Sequence, residues 1–407
     1  MQASDASAAE VARHAKDGRR VASIDGLRGL AALSVFVFHG WLYTMPEPGV
    51  IVEPTVVEDS VSELRLGLVL FFVLSGFLLS RPWFAAMLDE RRPPDLRGYV
   101  RSRVARIAPA YYVALLGSIA LLWSLDATPG VVLPPADELP LFFVFAQNVS
   151  DTSVMTLNPP MWSVCVEVSF YAVLPLIALL ASRLPRRRGA LACVPLALMV
   201  VGVLWNWWIS HGGRGDTFAT TLIAMLPFFA AGMLAALALH GRTPTTRTRR
   251  VMIGAGLALI ASDLAFETLV RATGLDPALF FAIARALPGA GCALVVGAVA
   301  AGPGGRLLGG RVLAGMGTIS YGFYLWHEPV LLALRGNGLL PLDPVLGMAV
   351  ALPPTIALAT VSWFVLERPI ISWAARTNRR ARVRRGASAE AVSGGRAGRR
   401  EVEAIRA

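Results

Sequence analysis

Ten long runs of apolar residues divide this 407-residue chain, and they determine the solvent in which it can fold. The runs cover about 25–43, 65–84, 107–125, 162–182, 189–209, 218–240, 251–270, 280–301, 312–334 and 344–366. A helix of roughly 20 apolar residues crosses the hydrocarbon core of a bilayer, so each run is long enough to span it. The sequence therefore predicts an all-α polytopic membrane protein with about ten transmembrane helices.

The composition argues against a soluble enzyme, a secreted disulfide scaffold and a disordered protein. Hydrophobic residues make up 55% of the chain and charged residues only 16%, whereas soluble domains carry about 25% charged residues. The three cysteines (Cys165, Cys193 and Cys292) lie in apolar runs. An odd number of cysteines without CxxC or Cys/His spacing predicts neither a disulfide framework nor a metal site.

The segments that connect the apolar runs are alternately rich and poor in arginine and lysine. The N-terminal stretch and every second connecting segment hold 4, 7, 4, 4, 2 and 11 of them, and each segment in between holds at most one. Basic residues favour the cytoplasmic side of a membrane. The pattern predicts a multi-pass plasma-membrane protein with both termini in the cytoplasm. The shorter run Leu141–Phe145 is expected to lie in the interface or to re-enter the membrane.

These features divide the chain into three parts. Residues 1–21 are predicted to form a cytoplasmic N-terminal segment, and residues 22–369 the transmembrane domain. Residues 374–407 hold ten Arg and three Glu, a net charge of +7, and are predicted to be a disordered cytoplasmic tail. A basic segment beside a span suits topology and anionic lipid better than nucleic acid. The first span holds Arg28 and His39 without a cleavage site after it, so it is expected to remain in the mature protein.

The first span carries a polar stripe. Arg28 and His39 are eleven residues apart, which places them on nearly the same helix face about 16 Å apart, and Asp25 lies on that face too. Charged side chains inside a bilayer cost about 2.5 kcal/mol or more each. The structural alternative is that Arg28 snorkels to the interface and His39 bonds a neighbouring helix. The sequence favours a functional role for both.

Other polar residues are expected to share the outer half of the membrane with His39. They are Glu167, Asp263, Glu267, Arg285, His327 and Glu328. Imidazoles and carboxylates in a cavity of low dielectric constant suit general acid and base chemistry, or a proton relay in a transporter. For Asp263, Glu267 and Arg285, structural ion pairing explains the sequence as well as chemistry does. Glu267 and Arg271 are spaced for such a pair.

Two arginines before the third span are candidates for binding phosphate. Arg103 and Arg106 are three residues apart, so on a helix they project together as a fork that suits a phosphate group. The alternative is the ordinary basic charge of a cytoplasmic loop. The sequence pattern leaves the two interpretations open.

Six segments together resemble the acyltransferase-3 family of integral-membrane O-acyltransferases. They are Asp25-Gly26-Leu27-Arg28-Gly29 with His39; Phe71-Phe72-Val73-Leu74-Ser75-Gly76-Phe77; Arg103-x-x-Arg106-Ile107-x-Pro109; Trp162-Ser163 with Glu167, Phe170-Tyr171 and Pro175; Ser320-Tyr321 with Tyr324-Leu325-Trp326-His327 and Pro329; and Glu367-Arg368-Pro369. They occur in the family's order over residues 22–369. The segment Val164-Cys165-Val166 departs from the family, which often has more polar residues there.

The resemblance implies an enzyme that moves an acyl group, such as acetyl, from acyl-CoA to a hydroxyl of a carbohydrate, glycolipid or glycosylated natural product such as a macrolide. It implies acyl-CoA as a co-substrate and no permanently bound cofactor. In this interpretation Arg28, Arg103 and Arg106 bind the donor, and His39 is the general base with Glu167 orienting its imidazole. The acceptor-binding residues would be Trp162, Ser163, Tyr171, Tyr324 and His327. Whether the acyl group passes directly or through an acyl-enzyme stays open.

Two other classes of function are also considered. A proton-coupled transporter or exporter would explain ten spans and buried carboxylates, but it gives no role to the arginine fork or to His39 above Arg28. A non-catalytic scaffold would leave the costly intramembrane residues unexplained. Many relatives carry a further soluble domain that acts on polymers, and none follows Trp373, so a smaller or membrane-carried acceptor is expected.

Overall fold

All regular secondary structure in the described part of the chain is helical. The computed structural model describes residues 2–48, 55–125, 128–212, 215–273, 286–302 and 305–383. The helices are α1 (Gln2–Thr44), α2 (Val56–Ser62), α3 (Leu66–Leu88), α4 (Leu96–Leu122), α5 (Leu139–Phe143), α6 (Met161–Ala181), α7 (Arg188–Gly212), α8 (Asp216–Ala219), α9 (Leu222–Leu239), α10 (Thr246–Thr273), α11 (Ala286–Ala300), α12 (Gly305–Leu308), α13 (Arg311–Gly336) and α14 (Pro344–Val361). The all-α prediction is confirmed.

Within the described ranges, seven helical stretches are long and apolar enough to cross a membrane. They are Val21–Thr44, Val56–Leu88, Leu96–Leu125, Met161–Ala181, Arg188–Gly212, Asp216–Leu239 and Pro344–Val383. The other three predicted spans fall on α10, α11 and α13, which are helical but lie outside this set. The multi-pass architecture is therefore supported, and the count of ten spans stays a prediction.

Glycines bring the backbones of α1 and α13 into direct contact. A Cβ atom added at Gly317 would lie 1.7 Å from the carbonyl oxygen of Asp25, and one added at Gly29 would lie 2.4 Å from that of Leu313. Small residues allow such close approach between membrane helices. The contact fixes the register between the polar stripe of α1 and the polar residues of α13.

We expect Gly317→Ala to destabilise the protein and Gly315→Ala on the same helix to leave it stable. The first methyl group would overlap the α1 backbone, which must then shift, at a cost of about 1–3 kcal/mol. The second would meet no atom within 4 Å, and alanine favours a helix over glycine. Thermal unfolding of the two variants in detergent measures the difference. Equal melting temperatures would contradict the close contact.

The C-terminal helix extends beyond its predicted end. After α14 the chain forms one π-helical turn, Ser362–Glu367, and stays helical to Val383. Asn378 accepts a hydrogen bond from Arg101 of α4 at 2.8 Å and donates one to the carbonyl of Gly98 at 3.0 Å. The prediction of disorder is therefore wrong for residues 374–383, because these contacts dock them on α4. Residues 384–407 lie outside the described residues.

Candidate active site

Two cavities open inside the helix assembly and meet at a common wall. One, of about 430 Å³, is lined by Arg28, Arg103 and Arg106 and is called here the arginine cavity. The other, of about 620 Å³, is lined by His39 and Glu328 and is called the histidine cavity. Three side chains line both, namely Leu68, Phe72 and Tyr324.

The hydrogen bonds around His39 indicate that its Nδ1 atom carries the proton and that its Nε2 atom keeps a lone pair. Its Nδ1 lies 3.0 Å from the carbonyl oxygen of Val35 and 3.1 Å from Nε2 of His327. Nδ1 of His327 lies 2.6 Å from the carbonyl oxygen of Tyr324. Because carbonyl oxygens only accept, both neutral rings carry their proton on Nδ1. The tautomer of His39 that results presents a basic nitrogen at Nε2.

A buried carboxyl group lies beside that nitrogen. Oε2 of Glu328 is 3.7 Å from Nε2 of His39 and has no hydrogen-bond partner in the described part of the chain. Oε1 of Glu328 accepts a hydrogen bond from the hydroxyl of Tyr43, which fixes the carboxyl group in place. Glu328 is fully buried. If His39 takes up a proton, the neighbouring carboxyl oxygen is placed to stabilise the imidazolium ion.

The arginine cavity presents guanidinium groups whose hydrogen-bonding capacity is incompletely used. Nε of Arg103 and Nη2 of Arg106 are buried without a hydrogen-bond partner among the described residues. Buried polar atoms in folded proteins almost always have a partner, so these two atoms indicate a site for an anion. Arg28 lines the same cavity and lies 4.0 Å from Asp25. The three predicted donor-binding residues thus share one cavity.

Aromatic rings and one carboxylate hold the two guanidinium planes. Arg103 lies over the ring of Tyr171 at 5.6 Å, and Arg106 lies 5.9 Å from that of Tyr321. The carboxylate of Glu367, in the π-helical turn, is 3.9 Å from Arg106. These contacts fix the orientation of both side chains before any ligand arrives.

Glu167 does not contact His39 and instead faces the arginine cavity. Its Oε1 accepts hydrogen bonds from Ser75 at 2.8 Å and Tyr171 at 2.5 Å. The predicted pairing of Glu167 with His39 is therefore replaced by contacts of His39 with His327 and Glu328. The role of Glu167 in the reaction stays a prediction.

The chain before α6 explains the incorrect depth predicted for Glu167. Asn158 is buried and donates a hydrogen bond to the carbonyl of Leu325, in the middle of α13, at 3.0 Å. The carbonyl of Pro160 accepts one from the hydroxyl of Tyr324 at 3.0 Å. Helix α6 thus begins inside the protein rather than at the membrane surface, and Glu167 lies correspondingly deeper.

Four of the five predicted acceptor-binding residues line the two cavities, and His327 lines neither of them. Trp162 lines the histidine cavity, Ser163 and Tyr171 line the arginine cavity, and Tyr324 lines both. The hydroxyls of Ser163 and Tyr324 are 2.7 Å apart. His327 is 1% exposed and lies behind His39, so it reaches a ligand only through that residue. The structure therefore indicates a positioning role for His327 rather than direct contact with the acceptor.

Charged groups also line the mouth of the histidine cavity. Arg65 lies 3.6 Å from Asp263, and both line the cavity. This contact agrees with the interpretation that Asp263 forms a structural ion pair. The side chains of Glu267 and Arg271 and all of Arg285 lie outside the described residues.

His39, His327 and Glu328 also form a possible metal-ligand set. Their donor atoms lie within 4.8 Å of one another. A metal ion would need lone pairs on both imidazoles. In the tautomers given above, Nε2 of each ring keeps a lone pair, and Nε2 of His327 uses it to accept a hydrogen bond from Nδ1 of His39 at 3.1 Å. The absence of a metal site therefore stays a prediction.

Tyr43 and Ser75 were absent from the predicted site, and Glu328 had no assigned role in it. Tyr43 follows His39 by four residues, so helical spacing alone would have placed it on the same face. Ser75 lies in one of the family segments. The contact of Glu328 with His39 depends on the α1 and α13 register, which no sequence spacing encodes.

Comparison with known proteins identifies the family to which this chain belongs. The model of the acyltransferase-3 family, described as an acyltransferase domain, matches residues 21–364. ExoZ, an exopolysaccharide production protein of Rhizobium meliloti, is 27% identical over 82% of this chain and 93% of its own length. The acyltransferase MdmB of Streptomyces mycarofaciens is 27% identical over 77% of this chain and 79% of its own.

A third relative is longer than this chain. The O-acetyltransferase OatA of Staphylococcus aureus is 22% identical over 86% of this chain, which spans 57% of that protein. No solved structure matches the chain. Because the family model covers most of its length, the chain belongs to the acyltransferase-3 family and is a membrane O-acyltransferase.

Proposed function

We propose that the protein transfers an acetyl or other short acyl group from acyl-CoA to a hydroxyl of a carbohydrate, glycolipid or glycosylated natural product such as a macrolide. The observation that carries this proposal is the junction of the two cavities. One holds guanidinium groups with unpartnered N–H donors, and the other holds His39 with a free lone pair. A donor with phosphates at one end and a thioester at the other suits such an arrangement.

The donor is proposed to enter from the side that carries the basic segments. Arg103 and Arg106 would bind its phosphates, and Arg28 would add a third positive charge. His39 lies eleven residues beyond Arg28 on α1, about 16 Å along the helix. The flexible arm of acyl-CoA would cross this distance past Tyr324 and bring the thioester to Nε2 of His39. In this proposal both termini and the arginine cavity lie on the cytoplasmic side of the plasma membrane.

In the proposed reaction His39 acts as the general base. Nε2 takes the proton of the acceptor hydroxyl while the oxygen of that hydroxyl forms a bond to the carbonyl carbon of the thioester. The carbon–sulfur bond then breaks, and the proton returns from His39 to the sulfur of CoA. Glu328 stabilises the imidazolium ion that exists between these two proton transfers.

The lining of the histidine cavity supports an acceptor with both polar and apolar faces. Phe38, Val69 and Phe228 form an apolar wall, and Arg65 and Asp216 lie among the polar groups of the lining. Trp162 adds an aromatic ring at the border with α6. A sugar attached to a lipid or to an apolar natural product fits these features. The relative ExoZ is named an exopolysaccharide production protein, which supports a carbohydrate acceptor.

We expect Glu328→Gln to lower the turnover number about 10- to 100-fold with little change in the Michaelis constant for acyl-CoA. The amide keeps the oxygen that accepts from Tyr43 but loses the charge that stabilises protonated His39. Tyr43→Phe is the matched control, because it removes the hydrogen bond and keeps the carboxyl group. Steady-state kinetics of CoA release separate the two constants. A fall in acyl-CoA binding without a fall in turnover would place Glu328 outside the chemical step.

The proposed function is tested with purified protein in detergent and radiolabelled acetyl-CoA. Candidate glycolipids and glycosides serve as acceptors, and both free CoA and the acylated product are followed. Release of CoA that depends on the acceptor, with an ester on the product, is expected. Solute uptake into liposomes without CoA release would favour the transporter instead.

A further inference from the structure

The helix that follows the π-helical turn forms part of the arginine cavity. Residues 368–383 are helical, and we call them the terminal helix. Three of its side chains line the cavity, namely Ile371, Ala374 and Ala375. The match to the family model ends at residue 364. A segment beyond the family match therefore supplies one wall of the proposed donor site.

Contacts at two levels hold the terminal helix antiparallel to α4. Just before the terminal helix begins, the carboxylate of Glu367 lies 3.9 Å from Arg106. About three turns later, Asn378 donates hydrogen bonds to the carbonyl of Gly98 at 3.0 Å and to the hydroxyl of Ser102 at 2.9 Å. The terminal helix thus follows α4 from Arg106 back to its first turns, and its cavity-lining residues lie between these two contacts.

The cavity is open and polar between the two helices. Ala374 and Ala375 carry only a methyl group, so they fill little of the space in front of α4. On the α4 side, Nε of Arg103 and Nη2 of Arg106 are buried without a hydrogen-bond partner among the described residues. Buried N–H donors of this kind indicate a ligand. That ligand would have the terminal helix as one of its walls.

We propose that the terminal helix binds the nucleoside end of acyl-CoA, an inference that rests on the proposed use of acyl-CoA as the donor. In CoA the diphosphate lies between the nucleoside and the flexible arm. If Arg103 and Arg106 hold the diphosphate and the arm extends toward His39, the nucleoside must lie on the other side of the two arginines. That side is where α4 begins and where the terminal helix packs against it.

Two residues of the terminal helix have separate roles in this proposal. Ala375 is exposed in the lining of the cavity and would pack against the nucleoside. Asn378 lies three residues further on and bonds to α4, so it is a positioning residue that keeps the wall in place. The terminal helix would then favour a thioester of CoA over one carried on a phosphopantetheine arm without a nucleoside.

The proposal is tested by calorimetric titration of the full chain in detergent. The two ligands are CoA and 4′-phosphopantetheine, which has the same arm and a phosphate but no nucleoside. Ala375→Leu should weaken the binding of CoA about tenfold, because the added side chain occupies the space of the nucleoside. The binding of 4′-phosphopantetheine should not change. Asn378→Ala should give the same pattern, because the released helix loses its contact with the nucleoside.

The control variant is Ala381→Leu, which adds the same bulk to the same helix outside the lining of the arginine cavity. It should bind both ligands as the wild type does. Equal weakening of both ligands in Ala375→Leu and Asn378→Ala would overturn the proposal, and so would unchanged binding of CoA in both variants. A wild-type protein that does not bind CoA would overturn the proposed function itself. Unchanged binding of 4′-phosphopantetheine also reports that a variant is folded.

Discussion

Replacing His39 with alanine is expected to lower acyl transfer about a thousandfold. The imidazole is the group whose lone pair faces the histidine cavity, and general bases contribute about 10²- to 10⁴-fold to rate. The substitution leaves the arginine cavity intact, so the affinity for CoA should not change. Steady-state release of CoA and titration of CoA binding measure the two effects separately.

His211→Ala is the matched control for this substitution. His211 is exposed on α7, and its Nδ1 lies 2.9 Å from the carbonyl oxygen of Trp207. Its replacement should leave turnover unchanged. If His39→Ala retained wild-type turnover, His39 would not be the base. If it lost binding of CoA as well, the two cavities would not act separately.

Replacing both Arg103 and Arg106 with alanine is expected to weaken the binding of CoA by about two to four orders of magnitude. Hydrogen bonds to charged groups contribute about 1.5–3 kcal/mol each, and a factor of ten corresponds to about 1.4 kcal/mol. Both side chains are fixed by aromatic rings before the ligand arrives, so little entropy opposes these bonds. Calorimetric titration of CoA against the wild-type and double-variant proteins gives the two dissociation constants.

Arg97→Ala controls for the loss of positive charge from the same helix. Arg97 is exposed in the first turn of α4 and lies outside the lining of the arginine cavity. The dissociation constant of its variant should stay near that of the wild type. An unchanged constant in the Arg103 and Arg106 double variant would refute the phosphate site. Binding should also weaken with added salt, because charge attraction contributes to it.

The sequence predicted the helices of this protein better than their depths. Apolar periodicity and length place a helix on every predicted run, since these features depend only on local composition. The stripe of Arg28 and His39 was also predictable, because helical geometry relates residues eleven positions apart. The position of Glu167 could not be predicted from local sequence alone. Its depth depends on a buried segment around Asn158 that carries the start of α6 into the protein.

The partners of His39 illustrate the same limit. His327 and Glu328 are almost 300 residues away along the chain, and their contact with His39 follows from glycines that set the distance between α1 and α13. In the C-terminal tail, tertiary contacts add order that the sequence did not predict. Its composition predicts disorder, but Asn378 and its bonds to α4 stabilise nearly three further helical turns that composition does not reveal.

The wall of Leu68, Phe72 and Tyr324 has a consequence for how the proposed reaction crosses the membrane. Two apolar side chains and one phenol offer no charge to a nucleotide, so the charged part of a donor has no favourable path through them. An acyl group is small and neutral, and it can cross at the end of a flexible arm. The enzyme would then perform group translocation, in which only the acyl moiety changes sides. The cell could then modify molecules on one face of the membrane with a cofactor that is kept on the other face.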